Sequence, residues 1–237
     1  MFRPEFLSPP RFARPRSSLW LALIAVPVVT FLVAASETSP RAPTPLDLPS
    51  GGEAQSDEEE DAAEAIRFFG EVYEGDGFFF LLDRSGSMSG MKLDILKGEM
   101  NSALSELSES SEFGIVAFSG DISVFSPMPL EANSSNITAA REWVNALQAY
   151  GSTMMLGAAI ELLTITQAAT NDEREVIVVG DGNPNSPGPT ETLEGILAAN
   201  TEGLPFHTIL IGSNESAIDF MTALATATGG TYRHQTF

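Results

Sequence analysis

The sequence predicts an α/β fold: a doubly wound, mostly parallel sheet with one antiparallel edge strand. Three observations lead there. From Phe78 onward, short apolar runs alternate with amphipathic stretches of about 10 to 17 residues, the rhythm of strand-helix-strand units. The first run, Phe78-Phe79-Phe80-Leu81-Leu82, is continuously apolar, as a strand covered on both faces requires. Finally, Phe113–Phe118 and Ile122–Phe125 flank the short turn Gly120-Asp121, which predicts a hairpin and hence an antiparallel edge.

The elements follow in order. Val72-Tyr73 reads as a short strand ahead of the Phe78 run. Leu93, Leu96, Met100, Leu104 and Leu107 recur at helical spacing and predict a helix over 91–107. After the hairpin, a helix is expected over 137–147, with Ser135 or Asn136 as its cap. Leu156, Ile160 and Leu163 mark a helix over 156–169. A buried strand at 175–179, a helix at 190–199 and a strand at 206–211 continue the alternation. The last helix, 217–227, stops at Gly229-Gly230, and Thr231-Tyr232-Arg233 reads as a final edge strand.

Ahead of this domain, assigned to 71–237, the chain divides into three parts. Residues 1–18 form a basic lead with Arg3, Arg11, Arg14 and Arg16. Residues 19–35, LWLALIAVPVVTFLVAA, are almost purely apolar and near the length of a membrane span. The arginines upstream place the lead in the cytoplasm and the domain outside it. Two readings stand: an uncleaved signal anchor, giving a single-pass membrane protein, or a signal peptide cleaved after Val33-Ala34-Ala35, giving a secreted or periplasmic one. Residues 36–70 read as a tether: Pro40, Pro43, Pro45 and Pro49 precede the acidic cluster Asp57-Glu58-Glu59-Glu60-Asp61, a composition too polar to offset the entropy of ordering it.

Charge narrows the function classes. The net charge is −20, and because the lead holds four bases and one acid, the remainder carries 31 of the 32 acids and 8 of the 12 bases. Such a surface repels nucleic acid, which is not an expected partner, and attracts cations. The chain has no cysteine, which excludes disulfides, thiolate metal sites and a cysteine nucleophile. It also lacks a Gly-x-Ser-x-Gly nucleophile elbow and a phosphate-cradling Gly-x-x-x-x-Gly-Lys-Ser/Thr.

Three separate stretches carry the chemistry. Asp83-Arg84-Ser85-Gly86-Ser87 directly follows the first buried strand. Thr153 closes Gly151-Ser152-Thr153 at the start of a helix, and Asp181 follows Val176-Ile177-Val178-Val179-Gly180. In doubly wound sheets, ligands bind outside the carboxyl ends of the strands, which is where these stretches fall. Asp83, Ser85, Ser87, Thr153 and Asp181 offer two carboxylates and three hydroxyls, hard oxygen donors suited to Mg²⁺ and also to Ca²⁺ or Mn²⁺.

In these residues the sequence resembles the von Willebrand factor A-domain family, over roughly 74–237. Asp83-Arg84-Ser85-Gly86-Ser87 is similar to that family's Asp-x-Ser-x-Ser metal-ion-dependent adhesion motif, Gly151-Ser152-Thr153 to its threonine loop, and Asp181-Gly182 to its third loop. The resemblance implies a Rossmann-like sheet with one antiparallel edge, and metal ligation by Ser85, Ser87 and Thr153, with Asp83 and Asp181 acting partly through water. It also implies a protein partner that donates an Asp or Glu carboxylate. Ser152 stands where a second glycine is common, and Gly180 where a threonine is frequent. Asn183, Asn185 and Met154 are the expected partner-binding rim, and His207 is expected to be structural. The resulting expectation is a non-enzymatic, membrane-tethered domain outside the cytoplasm that binds a protein through a divalent cation. The alternatives are an assembly scaffold in a membrane complex with a nonessential ion site, and a metal-assisted hydrolase.

Overall fold

The aromatic run organises the molecule. In the computed structural model, which describes residues 64–236, β3 (Gly77–Asp83) is buried along its whole length. Its side chains alternate between two apolar layers: Phe78, Phe80 and Leu82 enter one, Phe79 and Leu81 the other. A strand that feeds two cores needs apolar residues at every position, so continuity replaces alternation.

The main sheet has seven strands, in the order β5 (Ile122–Val124), β4 (Glu112–Phe118), β3, β7 (Arg174–Gly180), β8 (Phe206–Ile211) and β9 (Tyr232–Gln235), with β6 (Leu130–Glu131) also paired to β4. β4 and β7 flank β3 in parallel, and β8 and β9 extend the sheet in parallel beyond β7. β5 returns antiparallel along β4 through the Gly120-Asp121 turn, as the sequence predicts. The two-residue β6 pairs antiparallel lower on the same strand.

One layer packs α1 (Met91–Glu106) and α2 (Ser134–Ala146) against the sheet through Leu96, Met100, Leu104 and Val144. The opposite layer holds α3 (Met155–Thr166), α4 (Pro189–Ala199) and α5 (Glu215–Thr228), which contribute Leu162, Ile196 and Leu224. α2 starts earlier than its spacing suggests. Its cap is Asn133, whose Oδ1 accepts the Asn136 N–H at 3.0 Å, in place of Ser135 or Asn136. α5 ends on the left-handed Gly229, φ +78°, as its sequence implies.

A separate two-stranded hairpin, β1 (Ala65–Phe68) with β2 (Glu71–Glu74), packs on the α1 layer. Val72-Tyr73 is thus a strand, in this hairpin and not in the main sheet. β1 lies in the stretch whose composition reads as tether. Its turn residues Phe69 and Gly70 both have positive φ, +51° and +79°, the conformation a two-residue hairpin demands. Ile66 and Phe68 are fully buried, and Phe68 meets Phe80 edge to face at 5.6 Å. The hairpin is tied down from α1: Glu106 accepts the Arg67 N–H and Glu99 accepts the Phe69 N–H.

The expected membrane tether finds no support in the fold. Among the described residues no helix is long and apolar enough to cross a membrane. α1, with 16 residues, reaches only ~24 Å and carries Lys92, Asp94, Lys97, Glu99 and Glu106. The expected signal anchor and membrane contact at 19–35 lies outside the described residues. The described residues therefore supply no span for a membrane-tethered, single-pass protein and no support for a membrane partner.

Candidate functional site

Strand geometry sets the site. β3 ends at Asp83 and β7 at Gly180; they are neighbours in parallel register, Leu82 opposite Val179. Asp83 and Asp181 therefore emerge side by side at the carboxyl end of the sheet. Both are buried, with Asp83 fully inaccessible.

The first loop turns back on itself. Ser85 N–H donates to Asp83 Oδ1 at 2.7 Å, the Ser85 and Ser87 hydroxyls lie 3.1 Å apart, and Ser87 Oγ donates to Asp181 Oδ1 at 2.7 Å. Oxygen contacts thus run from the Ser85 hydroxyl through Ser87 to Asp181, and the Ser85 backbone N–H joins this line to Asp83. The other Asp181 oxygen accepts from Lys92 Nζ, on the first turn of α1. Asp83 Oδ2 is buried and has no hydrogen-bond partner. Burial pushes the Asp83 carboxyl up to about 7; the Ser85 hydrogen bonds oppose this, and the Asp181 charge adds to it.

The threonine loop lies against the first. Gly86 N–H donates to Gly151 O at 3.1 Å, and Tyr150 N–H donates to Arg84 O at 2.9 Å. Thr153 is buried. Its carbonyl accepts Asn185 N–H at 3.0 Å, and its own N–H donates to Asn185 Oδ1 at 3.2 Å. Asn185, expected as rim, is thus the residue that pins the threonine loop to the loop after β7. Met154 is exposed beside it, while Asn183 Oδ1 is buried without a partner.

Arg84 occupies the variable position of the motif, and sequence reasoning assigned it nothing. Its side chain is only 4% exposed, and Nη2 donates to Asp121 Oδ1 at 2.7 Å and to Ser123 Oγ at 3.0 Å. The guanidinium lies 4.4 Å from the centre of the Tyr150 ring, whose hydroxyl donates to the same Asp121. Hydrogen bonds from Ser119 and Tyr150, with the Arg84 charge, hold the Asp121 carboxyl below its ordinary range. One side chain thus fastens the first loop, the β4–β5 turn and the approach to Thr153. Lys92 was also missed. Its signal is a cation in the first turn of a helix, where the macrodipole disfavours it.

The donor set fits a hard divalent cation. Two buried carboxylates stand close together, one of their oxygens lacks any partner, and the Ser85 and Ser87 hydroxyls, not imidazole or thiol, lie between them. Among the described residues no group of three or more His, Cys, Asp or Glu side chains is arranged to hold a metal. Any ion here would rest on two carboxylates with neutral oxygens. His207 is elsewhere, early in β8, between Glu175 at 2.5 Å and Thr231 at 2.8 Å, and it packs edge-on to Tyr73.

Comparison with known proteins gives the same architecture. The family model "von Willebrand factor type A domain" matches residues 78–234. Human inter-alpha-trypsin inhibitor heavy chain H4 is 28% identical over 112 residues, covering 44% of this chain and 12% of that protein. Human von Willebrand factor A domain-containing protein 3A is 28% identical over 169 residues, 70% of this chain and 14% of that one. Among solved structures, a von Willebrand factor type A protein from Catenulispora acidiphila superposes with a TM-score of 0.63 at 22% identity, over 69% of this chain and 39% of that one. The chain therefore spans a small fraction of the curated relatives it matches.

Proposed function

Because this chain belongs to the von Willebrand factor type A domain family, we propose that it is a protein-binding domain that engages its partner through a divalent cation held by Asp83, Ser85, Ser87, Thr153 and Asp181. The observation that carries this reading is the hydrogen-bonded line from Asp83 through the Ser85 N–H and the Ser85 and Ser87 hydroxyls to Asp181, next to a buried Asp83 carboxylate oxygen with no hydrogen-bond partner. Such a group is costly unless a cation or donor completes it.

The family match and the likeness to the inter-alpha-trypsin inhibitor heavy chains support a non-enzymatic role. Mg²⁺ suits the donors best, since it tolerates few protein ligands and keeps water at the rest; Ca²⁺ and Mn²⁺ take the same oxygens. When bound, the ion supplies a positive centre able to accept an Asp or Glu carboxylate from a partner. The chain's own residues do the rest. Arg84 and Asn185 hold the loops, the hydroxyls stay neutral so that positive charge is not cancelled, and Met154, Asn183 and Asn185 form the surrounding rim.

A second reading has its own support. Lys92 already neutralises Asp181, so the domain can serve as a structural or assembly scaffold with a nonessential ion site. A pull-down by the full chain, repeated in chelator, separates the two. Release of the captured protein in chelator, and its loss with Asp181→Ala, supports the cation-dependent reading. Retention after verified metal removal supports the scaffold.

A further inference from the structure

Lys92 is placed where helix electrostatics argue against it. It is the second residue of α1, and a cation in that turn faces the positive end of the macrodipole. Its side chain nevertheless reaches into the site and donates to Asp181 Oδ2. Asp181 is 1% exposed there and Lys92 28%, so the pair is buried on the carboxylate side and open on the lysine side. Gly212, just past β8, borders the lysine, and a side chain there would touch it without obstructing it. A Cβ at 212 would lie 3.5 Å from Lys92 Cε and 3.7 Å from Nζ, and the φ of +111° is one that side chains rarely adopt. Ser87 takes the remaining Asp181 oxygen, while Asp83 Oδ2 stays unpaired.

We propose that Lys92 is a tethered counter-ion of this site: its ammonium offsets the two carboxylates when no metal is present and competes with the divalent cation for Asp181. The proposal rests on the ion-site reading above. A compact ammonium and a divalent cation cannot share one buried carboxylate without strong mutual repulsion, so binding the metal displaces Nζ from Asp181. The flexible four-carbon stem and the exposed side of the pair give the ammonium a route into water. Lys92 then sets the metal affinity and keeps the empty domain folded. A lysine that merely oriented Asp181 for the metal would have the opposite effect on affinity.

The test titrates the full chain with MgCl₂ by calorimetry, for wild type, Lys92→Met and Lys92→Gln, with melting curves in chelator. The neutral variants should bind Mg²⁺ about tenfold more tightly than wild type and melt at a lower temperature without metal. Equal or weaker Mg²⁺ binding by both variants overturns the counter-ion. Binding by the variants but not by wild type supports it strongly. Binding by none of the three overturns it and the ion-site reading together, so the two failures are distinct. A second measurement needs no variant. The chain has two lysines, Lys92 and Lys97, and Lys97 lies on the outer side of α1 against the Asn145 carbonyl. Acylation of the native protein, read by mass spectrometry, should rise at Lys92 relative to Lys97 when Mg²⁺ is added. An unchanged or reduced ratio, in protein that binds Mg²⁺, contradicts displacement.

Discussion

Gly180 and Asp83 face each other across the adjacent ends of β7 and β3, so closely that a Cβ on residue 180 would lie 3.0 Å from Asp83 Oδ2 and 3.1 Å from Asp83 Cβ. The missing side chain leaves room around the unpaired carboxylate oxygen. Gly180→Thr should therefore crowd Asp83 and Met221, costing about 1–3 kcal/mol. Urea unfolding in chelator measures the cost, and Mg²⁺ affinity should fall with it. A neutral substitution would mean that the strand ends relax at no cost.

The buried Asp83 carboxyl gives the metal-free domain a pH signature. Its folded-state value, about 7, lies above the ordinary carboxylate value of 3.8. The native state thus binds more protons than the unfolded chain between those limits. The stability it contributes is present below pH ~4 and is lost as pH rises through about 7, by up to ~4 kcal/mol. In chelator, Asp83→Asn should flatten this slope and raise the melting temperature at pH 8. Identical pH profiles for the two proteins would contradict the assignment.

Arg84 should matter through the loops it fastens. Arg84→Met removes the bonds to Asp121 and Ser123 and the contact with Tyr150. Asp121 is half exposed and regains water, which limits the loss to about 1–3 kcal/mol. Mg²⁺ affinity should fall while a residual thermal response to the metal remains, since no proposed ligand is lost. Unaltered stability and affinity would show that the loops hold without the clamp.

The hairpin gives a test independent of the site. Phe68 is fully buried against Phe80, so Phe68→Ala should destabilise the domain by about 3–5 kcal/mol. Its Mg²⁺ affinity should stay near that of wild type, because the hairpin packs on the α1 layer and supplies none of the proposed ligands. Calorimetry on the variant checks both halves of this expectation.

The sheet was legible because its central strands, such as Phe78–Leu82 and Val176–Val179, are apolar at every position and lead into aspartates, Asp83 directly and Asp181 after Gly180. The antiparallel β5 announced itself through Gly120-Asp121. β6 did not, since two residues carry no period, and β1 did not because Ile66, Phe68 and Phe69 sit just after the acidic, proline-rich stretch that dominates composition there. At the site, the proposed ligands were readable as residue types at strand ends. Arg84, Asp121 and Lys92 were not, because their roles depend on partners 37 and 89 residues away in the chain. Asn185 was placed on the rim as an exposed loop residue, and only the contact with Thr153 reveals that it also anchors the loop.

The most direct test is the melting temperature of the full chain with Mg²⁺ and with chelator, for wild type, Asp83→Ala and Asp181→Ala. A rise with Mg²⁺ in wild type that disappears in both variants is the predicted result. A rise of equal size in all three, or none in wild type with Mg²⁺, Ca²⁺ or Mn²⁺, would contradict a cation held between these two aspartates.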